Sequence, residues 1–575
     1  MPVYPPAQAL PLLVLEAIFR HVLSAPPAIP TLECDRNPPT KQVALLPIMS
    51  QCRAWRSVAA AIFYRSAKMW PEQLVASDSH KKKHLSLSDI IATGTHCYLR
   101  ELIIHVYIPD FAKSWEAGQN LGATLSGSGD LGSVSRLELT ITADVGLGHS
   151  CAQSNEGEPD RELVDKNVKI FAKQIRHALP NAQSVSVYHS VRYPRLGTAK
   201  FEDECVLSNM DQLVGPNPVR LSLDRMPITK QFVNGLSETT LRSITISMHT
   251  GTQQHVELVR RNAASLERLR INRSTHFSVI KMTCDSRDRN STLVYPRLEC
   301  LHISMLTGSR GANMRNPLAD PFPRLHTLIS RGYFPFRTPG VLVGGKSHIR
   351  HLDIDMDAGL QVMLKDCNAF DKGAFSKLQY VSLGWATSGA VWGDYSEQLC
   401  QMSTEMCAQT RVVRMPNTHI RHMAKLTPTF EYARQLEILD VPHCEFTIDQ
   451  CIAMLCGCPR LIKANVGLIE LSSVTDKRMP PVEVLQEYQE KYKACTSGVR
   501  ALGIRNTRFG SARQAGECLV LLADILPSIK RVTVSLSSKR SVSKILRAIT
   551  LASKRPVYKG HRLHKEVEFS SGHCW

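Results

Sequence analysis

The chain has 575 residues, of which 43% are hydrophobic and 21% are charged, and its formal net charge is +19. This composition excludes wholesale disorder, and the length exceeds one ordinary core, so several domains or one elongated repeat array are expected. No apolar run approaches the roughly 18 residues that a membrane span needs, and Glu16 interrupts the apolar N-terminal segment. Neither a membrane span nor a signal peptide is therefore predicted.

Cysteine spacing and charge indicate the cellular location and the classes of partner to expect. The seventeen cysteines are an odd number without framework spacing, which favours reduced thiols and a cytoplasmic or nuclear location. Basic residues cluster at 81–83 and again between Lys539 and Lys565. We interpret these clusters as solvated faces. Nucleic-acid contact is the alternative, but no zinc-finger spacing or basic zipper accompanies them, so neither a membrane nor a nucleic-acid partner is expected.

The segment 8–68 is predicted to form a small helical module. An amphipathic helix begins at Leu10-Pro11, because proline is favoured at the first helical position. A Pro-rich insert at 24–40 separates it from a second apolar segment that ends in Phe63-Tyr64-Arg65. A unit of about 55 residues is only marginally stable alone, so it is expected to dock on the rest of the chain or on a partner.

Two features of this module resemble the F-box family, namely the Leu-Pro opening and the stretch Cys52-x-x-Trp55-Arg-x-Val58-Ala. The insert at 24–40 departs from the family pattern. F-box helices pack against a small adaptor subunit, so the resemblance implies an adaptor-binding site here. Its adaptor-facing or module-core residues would be Leu10, Pro11, Leu15, Ile18, Phe19, Trp55 and Val58. A helical cap that merely covers the first repeat is the alternative.

A short apolar phrase recurs from about residue 97 onward. Its first copy is Leu99-x-x-Leu102-x-Ile104, where x is any residue. Apolar residues at this spacing are typical of a short strand with one buried face. The middle position, called the marker here, returns about every 31 residues. The markers are Leu102, Leu137, Val185, Leu221, Ile244, Leu269, Leu301, Leu328, Leu352, Val381, Val413, Leu439, Ala464, Leu502 and Val532.

Segments between the strands have helical periodicity. A Pro-Arg pair precedes several strands, as at Pro459-Arg460, and we expect the proline to end the preceding element and set an extended path into the strand. Doubly wound α/β domains are the competing interpretation, but the many short strands favour a solenoid in which neighbouring units share one core. The clearest predicted helices run from Glu162 to Leu179, His255 to Leu266, Ile448 to Cys456 and Ala515 to Leu526.

The phrase, with one helix per unit, resembles the helix-bearing variety of the leucine-rich repeat family. The Asn or Cys that usually follows the strand is mostly missing. The predicted fold is an irregular α/β solenoid of about fifteen units over 95–537, with parallel strands on the concave face, helices outside and a basic cap or tail at 538–575. Together with an F-box, it resembles the substrate-receptor subunits of SCF-type cullin-RING ubiquitin ligases. The partners implied are the adaptor subunit, the cullin complex and an unknown protein substrate.

Three motifs resemble sites of chemistry but lack the required context. The segment 127–132 has the form GxGxxG and 340–347 the form of a phosphate-binding loop, yet each precedes a predicted strand where a nucleotide site needs a helix. Cys451, Cys456 and Cys458 lack the paired Cys-x-x-Cys hooks of structural zinc. We therefore expect a non-catalytic protein without cofactor or metal.

Overall fold

The structure is a computed structural model of the chain. It describes residues 14–16, 53–69, 87–107, 131–142, 161–190, 209, 212, 214, 218–226, 228–236, 240–247, 253–274, 282–283, 292–305, 321–331, 348–356, 377–385, 410–415, 433–442, 444, 446–467, 469–470, 482–493, 497–504, 512–526, 528–536, 539–552 and 567–571. The chain divides into two compact units, Met1–Leu266 and Glu267–Trp575.

The first unit alternates helices with strands over its described residues. Its helices are α1 (Arg53–Phe63), α2 (Leu87–Ala92), α3 (Arg161–Ala178), α4 (Lys230–Gly235) and α5 (Gln253–Arg261), with a 3-10 helix at His96–Tyr98. Its strands are β1 (Ser66–Met69), β2 (Glu101–Tyr107), β3 (Arg136–Thr142), β4 (Ser184–Ser190), β5 (Arg220–Asp224) and β6 (Ser243–Ser247).

The second unit has more strands, and its four helices of ten or more described residues lie in its C-terminal half. Its main strands are β7 (Arg268–Ser274), β8 (Cys300–Met305), β9 (Thr327–Arg331), β10 (His351–Met356), β11 (Tyr380–Trp385), β12 (Val412–Arg414), β13 (Ile438–Val441), β15 (Lys463–Val466), β17 (Ala501–Ile504), β18 (Arg531–Leu536) and β19 (Val567–Ser571). The short strands β14 (Phe446–Thr447) and β16 (Ile469–Glu470) pair with each other. The helices are α6 (Ile448–Gly457), α7 (Val482–Lys491), α8 (Ala512–Ile525) and α9 (Lys539–Ala552).

The predicted markers stand directly opposite one another in the parallel sheet of each unit. In the first unit Leu102 is paired with Leu137, and the series continues through Val185, Leu221 and Ile244. In the second unit the ten markers from Leu269 to Val532 are paired in the same way. All of these markers are buried. The predicted α/β solenoid with parallel strands is therefore confirmed.

The strands are joined at their starts by carbonyls that each accept two hydrogen bonds. The carbonyl of Arg100, two residues before a marker, accepts from the amides of Ser135 and Arg136, both at 3.0 Å. Such a bond pair does not depend on side chains, so it can repeat while the sequence varies. It recurs at Arg65, Ser135, Gln183 and Val219 of the first unit, and at Glu267, Glu299, His326, Arg350, Gln379, Arg411, Glu437, Ile462 and Arg500 of the second.

The prolines before several strands lie in tight turns, which corrects the expectation of an extended path. In the segment Cys458-Pro459-Arg460-Leu461 the Leu461 amide donates to the Cys458 carbonyl at 3.0 Å. The proline takes the second position of this turn, where its fixed φ angle fits. The same bond closes the turns from Tyr295 to Leu298, at 3.2 Å, and from Phe322 to Leu325, at 3.1 Å.

The four predicted helices correspond to α3, α5, α6 and α8. Helix α5 ends at Arg261, earlier than predicted, because the buried side chain of Asn262 forms hydrogen bonds there. The side-chain nitrogen Nδ2 of Asn262 donates to the Leu258 carbonyl at 2.9 Å, and its Oδ1 accepts from the backbone amide of Leu241 at 3.1 Å. Asn262 therefore ties the helix end to the turn before β6.

Two strands lie outside the predicted array limits of 95–537. In β1 Ala67 stands opposite Leu102, and in β19 Val567 stands opposite Val532, so the marker series extends by one position at each end. Strand β1 overlaps the end of the predicted module at 8–68, whereas α9 and β19 lie in the segment 538–575.

Candidate functional site

Three of the seven predicted adaptor-site residues can be located. Leu15 is buried, Val58 is buried, and Trp55 is partly buried and packs against them. Leu10, Pro11, Ile18 and Phe19, together with the insert at 24–40, lie outside the described residues.

A small apolar core connects the predicted halves of the module. Leu15 lies together with three residues of α1, namely Val58, Ala59 and Phe63, so residues more than 40 positions apart in the sequence share one core. Phe63 also meets the Tyr64 ring edge-on, with 4.9 Å between ring centroids. Leu15 and Val58 therefore stabilise the module from within, and their side chains present no surface to a partner.

The module exposes an apolar residue that the sequence pattern did not single out. Val14 retains 41% of its side-chain exposure beside the buried Leu15. Along α1, Arg56, Ser57 and Ala61 are exposed. The sequence carried a signal for Val14, because adjacent residues of a helix differ by about 100° around its axis, which turns Val14 away from the side of Leu15.

Helix α1 runs directly into the first strand of the sheet. The Arg65 carbonyl, between α1 and β1, accepts from the amides of Arg100 at 2.8 Å and Glu101 at 3.0 Å. A cavity of about 290 Å³ opens at this junction and is lined by Glu16, Ala61, Arg65, Tyr98, Arg100 and Ser135. The module and the first repeats are thus one continuous packed structure.

The outward face of the first sheet carries charges of both signs close together. Arg136 of β3 lies 3.2 Å from the Glu101 carboxylate on β2 and 3.8 Å from the Glu138 carboxylate on its own strand. All three residues occupy positions directly before or after a marker, where side chains point away from the buried face. This part of the face therefore offers mixed rather than single-sign charge.

The outward face of the second sheet carries an aromatic and cationic cluster. The His351 ring on β10 stacks on the Tyr380 ring of β11, with 4.0 Å between centroids and 10° between planes. The Arg414 guanidinium on β12 lies 5.6 Å from the centre of the same tyrosine ring. Burial lowers the pKa of His351, with Arg414 adding to the effect and Asp353 opposing it. Tyrosine and arginine are the residues that contribute most to protein–protein contacts, so this cluster is a candidate binding point.

Of the two glycine-rich motifs, residues 127–130 and 340–347 lie outside the described residues. The parts of the chain that follow 127–132 and 340–347 form strands β3 and β10, as predicted. Across the described residues no group of three or more His, Cys, Asp or Glu is arranged to hold a metal ion. The thiols of Cys451 and Cys458 are buried, and burial raises the pKa of each to about 12. Cys456 is disulfide-bonded, which corrects the expectation that every thiol is reduced.

Comparisons with known proteins give two distant structural similarities. No protein-family model and no curated protein matches the chain. A leucine-rich repeat protein of Leptospira interrogans is similar at 9% identity and a TM-score of 0.27, over 73% of this chain and 89% of that one. A TLR13–ssRNA13 complex is similar at 9% identity and a TM-score of 0.27, over 78% of this chain and 62% of that one.

The fold is leucine-rich-repeat-like. This follows from the paired markers and the repeated carbonyl ladder, which make the chain a repeat scaffold with one buried and one outward sheet face. Within the described residues no helix is both long and apolar enough to cross a membrane.

Proposed function

We propose that the chain is the substrate-receptor subunit of an SCF-type ubiquitin ligase. In this role the N-terminal module docks on the adaptor subunit, and the outward strand faces hold a protein substrate. The role is non-catalytic, and the location that goes with it is cytoplasmic or nuclear. The observation that supports it most directly is the Leu15–Val58–Phe63 core, because it joins both F-box-like sequence segments in one folded module.

The continuity of α1 with β1 favours a second candidate. A helical module that ends in the first strand of the sheet also covers the end of a repeat array, and solenoid ends need such cover. In this alternative the chain is a non-catalytic binding scaffold, and the module has no adaptor. The two candidates differ in whether the exposed surface of the module binds another protein.

Val14 gives a sharper test of adaptor docking than the buried residues do. Changing Leu15 or Val58 would unfold the module core, so lost binding would not distinguish docking from folding. Val14→Asp alters an exposed side chain and should leave the core intact. In co-purification of the full chain with the SCF adaptor subunit, we expect this change to weaken association at least tenfold, because a charge replaces an apolar contact.

Leu163→Asp is the matched control, since Leu163 on α3 is 37% exposed and lies outside the module. It should bind the adaptor like the unaltered chain. If the unaltered chain shows no association at micromolar concentration, or if Val14→Asp binds as well as Leu163→Asp, adaptor docking through this surface is wrong. The capping role would be supported by two results together. The module would bind no adaptor, and its disruption would lower the unfolding temperature of the repeat array.

A further inference from the structure

The C-terminal part of the chain concentrates positive charge. Between Asp524 and Glu566 there is no acidic residue, whereas eleven lysines and arginines lie in the same interval. That local excess is more than half of the net charge of +19. A stretch of this kind creates a field that attracts polyanions and is screened by salt.

Helix α9, within this interval, is held on α8 by its apolar side. Ile545, Ala548 and Ile549 are buried. Gly516 of α8 approaches Ala548 so closely that a Cβ on the glycine would lie 2.7 Å from the Ala548 carbonyl carbon. This close approach places the side of α9 that carries Ala548 against α8, so the opposite side faces solvent.

The solvent face of α9 combines two cations with an exposed leucine. Lys544, Arg547 and Leu551 follow one another at intervals of three and four residues, which places them on one side of a helix. Lys544 and Arg547 are exposed and form no ion pair with another described residue, and Leu551 keeps 53% of its exposure. Leu551 is the most exposed of the large hydrophobic residues in the described chain.

We propose that this face of α9 docks on an anionic lipid surface. Lipid phosphates and carboxylates attract the two cations, and the boundary between headgroups and acyl chains accommodates Leu551. A nucleic-acid backbone would also attract Lys544 and Arg547, but it offers no apolar environment to the leucine. Because the apolar side of α9 is already covered by α8, the contact is peripheral and reversible.

The proposed lipid contact is independent of the ubiquitin-ligase role, because it involves α9 in the C-terminal part of the sequence and not the N-terminal module. It departs from the expectation of no membrane partner, which rested on the lack of a membrane-spanning segment. Docking by surface charge needs no such segment.

Vesicle co-sedimentation of the full chain tests the proposal. Vesicles of phosphatidylcholine with about one quarter phosphatidylserine should bind the chain, and pure phosphatidylcholine vesicles should not. The double variant Lys544→Gln/Arg547→Gln should reduce binding about 30-fold, since each cation near an anionic surface contributes about fivefold. Leu551→Ser should reduce it several-fold at the same net charge, and raised salt should abolish it.

The double variant Lys377→Gln/Lys493→Gln is the matched control. Both lysines are exposed residues of the second unit that do not belong to α9, and their loss changes the net charge by the same amount. Lys493 lies 3.5 Å from the Glu490 carboxylate, with both side chains largely exposed. Equal losses in the two double variants would overturn the proposal, because binding would then follow net charge alone. Absence of vesicle binding, or a Leu551→Ser variant that binds like the unaltered chain, would also overturn it. Duplex DNA binding without vesicle binding would assign the face to nucleic acid instead.

Discussion

Gly516 of α8 and Ala548 of α9 lie in backbone contact. A Cβ added to the glycine would stand 2.7 Å from the carbonyl carbon of Ala548 and 2.8 Å from its Cβ, closer than such atoms pack. A glycine inside a helix ordinarily costs about 1 kcal/mol relative to alanine. Its place in the middle of α8 therefore reflects packing against α9 rather than helix propensity.

Gly516→Ala should destabilise the second unit even though alanine is the better helix former. The added methyl must push α9 away from α8, at a cost of about 1–3 kcal/mol that exceeds the propensity gain. Urea unfolding followed by circular dichroism measures the change. The compensating variant Gly516→Ala/Ala548→Gly moves the methyl from one helix to the other and should recover part of the loss. A stabilised Gly516→Ala variant would contradict the contact.

Asp449 in the first turn of α6 holds α7 through three donors. Its carboxylate accepts from the Tyr488 hydroxyl at 2.7 Å, from the Lys491 ammonium at 2.9 Å and from the Tyr492 hydroxyl at 2.9 Å. Burial by itself raises the pKa of Asp449, but hydrogen bonds from Lys491, Tyr488 and Tyr492 outweigh it and set the pKa below its usual range. The ionised form is therefore favoured in the folded chain.

Asp449→Asn should destabilise the contact between α6 and α7 by about 1–3 kcal/mol, because an amide replaces the charged acceptor of three bonds. Hydrogen exchange of the α7 amides is the measurement, and faster exchange confined to α7 is expected. Tyr488→Phe removes one donor and should have a smaller effect. Because the folded pKa is lowered, the contribution of Asp449 is complete above the unfolded pKa near 4 and disappears as the pH falls through the folded value. Equal exchange in all three proteins would contradict the role of this carboxylate.

His255 of α5 makes the first unit sensitive to mild acid. Its side chain is fully buried, and Nε2 donates to the Met226 carbonyl at 3.0 Å. Burial lowers the pKa of His255 to about 4, with the bond to Met226 opposing the shift. Between pH 6.5 and 4 the unfolded chain binds the proton and the folded chain does not, so stability falls as the pH falls. The expected loss approaches about 3 kcal/mol below pH 4.

His255→Gln separates this effect from other titrating groups. Glutamine keeps an N–H donor for the Met226 carbonyl but has no proton to bind in this range. The unfolding free energy of the unaltered chain minus that of the variant, measured in urea at pH 7, 6, 5 and 4, should shrink steadily toward low pH. A difference that stays constant across these pH values would show that His255 does not titrate on unfolding.

The sheet register could be predicted from the sequence because each marker lies in a short apolar phrase whose internal spacing is the same from copy to copy. Fifteen markers chosen by that phrase alone are the residues that pair across the strands of each unit. The helices α3, α6 and α8 were also predicted well, since their apolar residues recur at helical spacing. The expectation of an extended path at the prolines was wrong, because proline is compatible both with an extended path and with the second position of a turn.

Several side-chain contacts within the two units could not be predicted from the sequence. His351, Tyr380 and Arg414 occupy unremarkable positions beside markers, and only the strand register makes them neighbours. The closeness of Leu15 to Val58 likewise depends on how two distant segments fold together. The Asp449 contacts join residues more than 35 positions apart, and the apolar periodicity of α6 and α7 does not predict them.

The paired amides at each strand start allow the segments between strands to differ in length. Those bonds involve backbone atoms of a few residues per unit, so whatever lies between two strands is free to lengthen or shorten. Only 23 residues separate Leu221 from Ile244, whereas 48 separate Leu137 from Val185, and both pairs belong to the same sheet. Natural insertions and deletions in the connecting segments would thus alter length and spacing without changing the architecture, and homologues of this chain should differ most there.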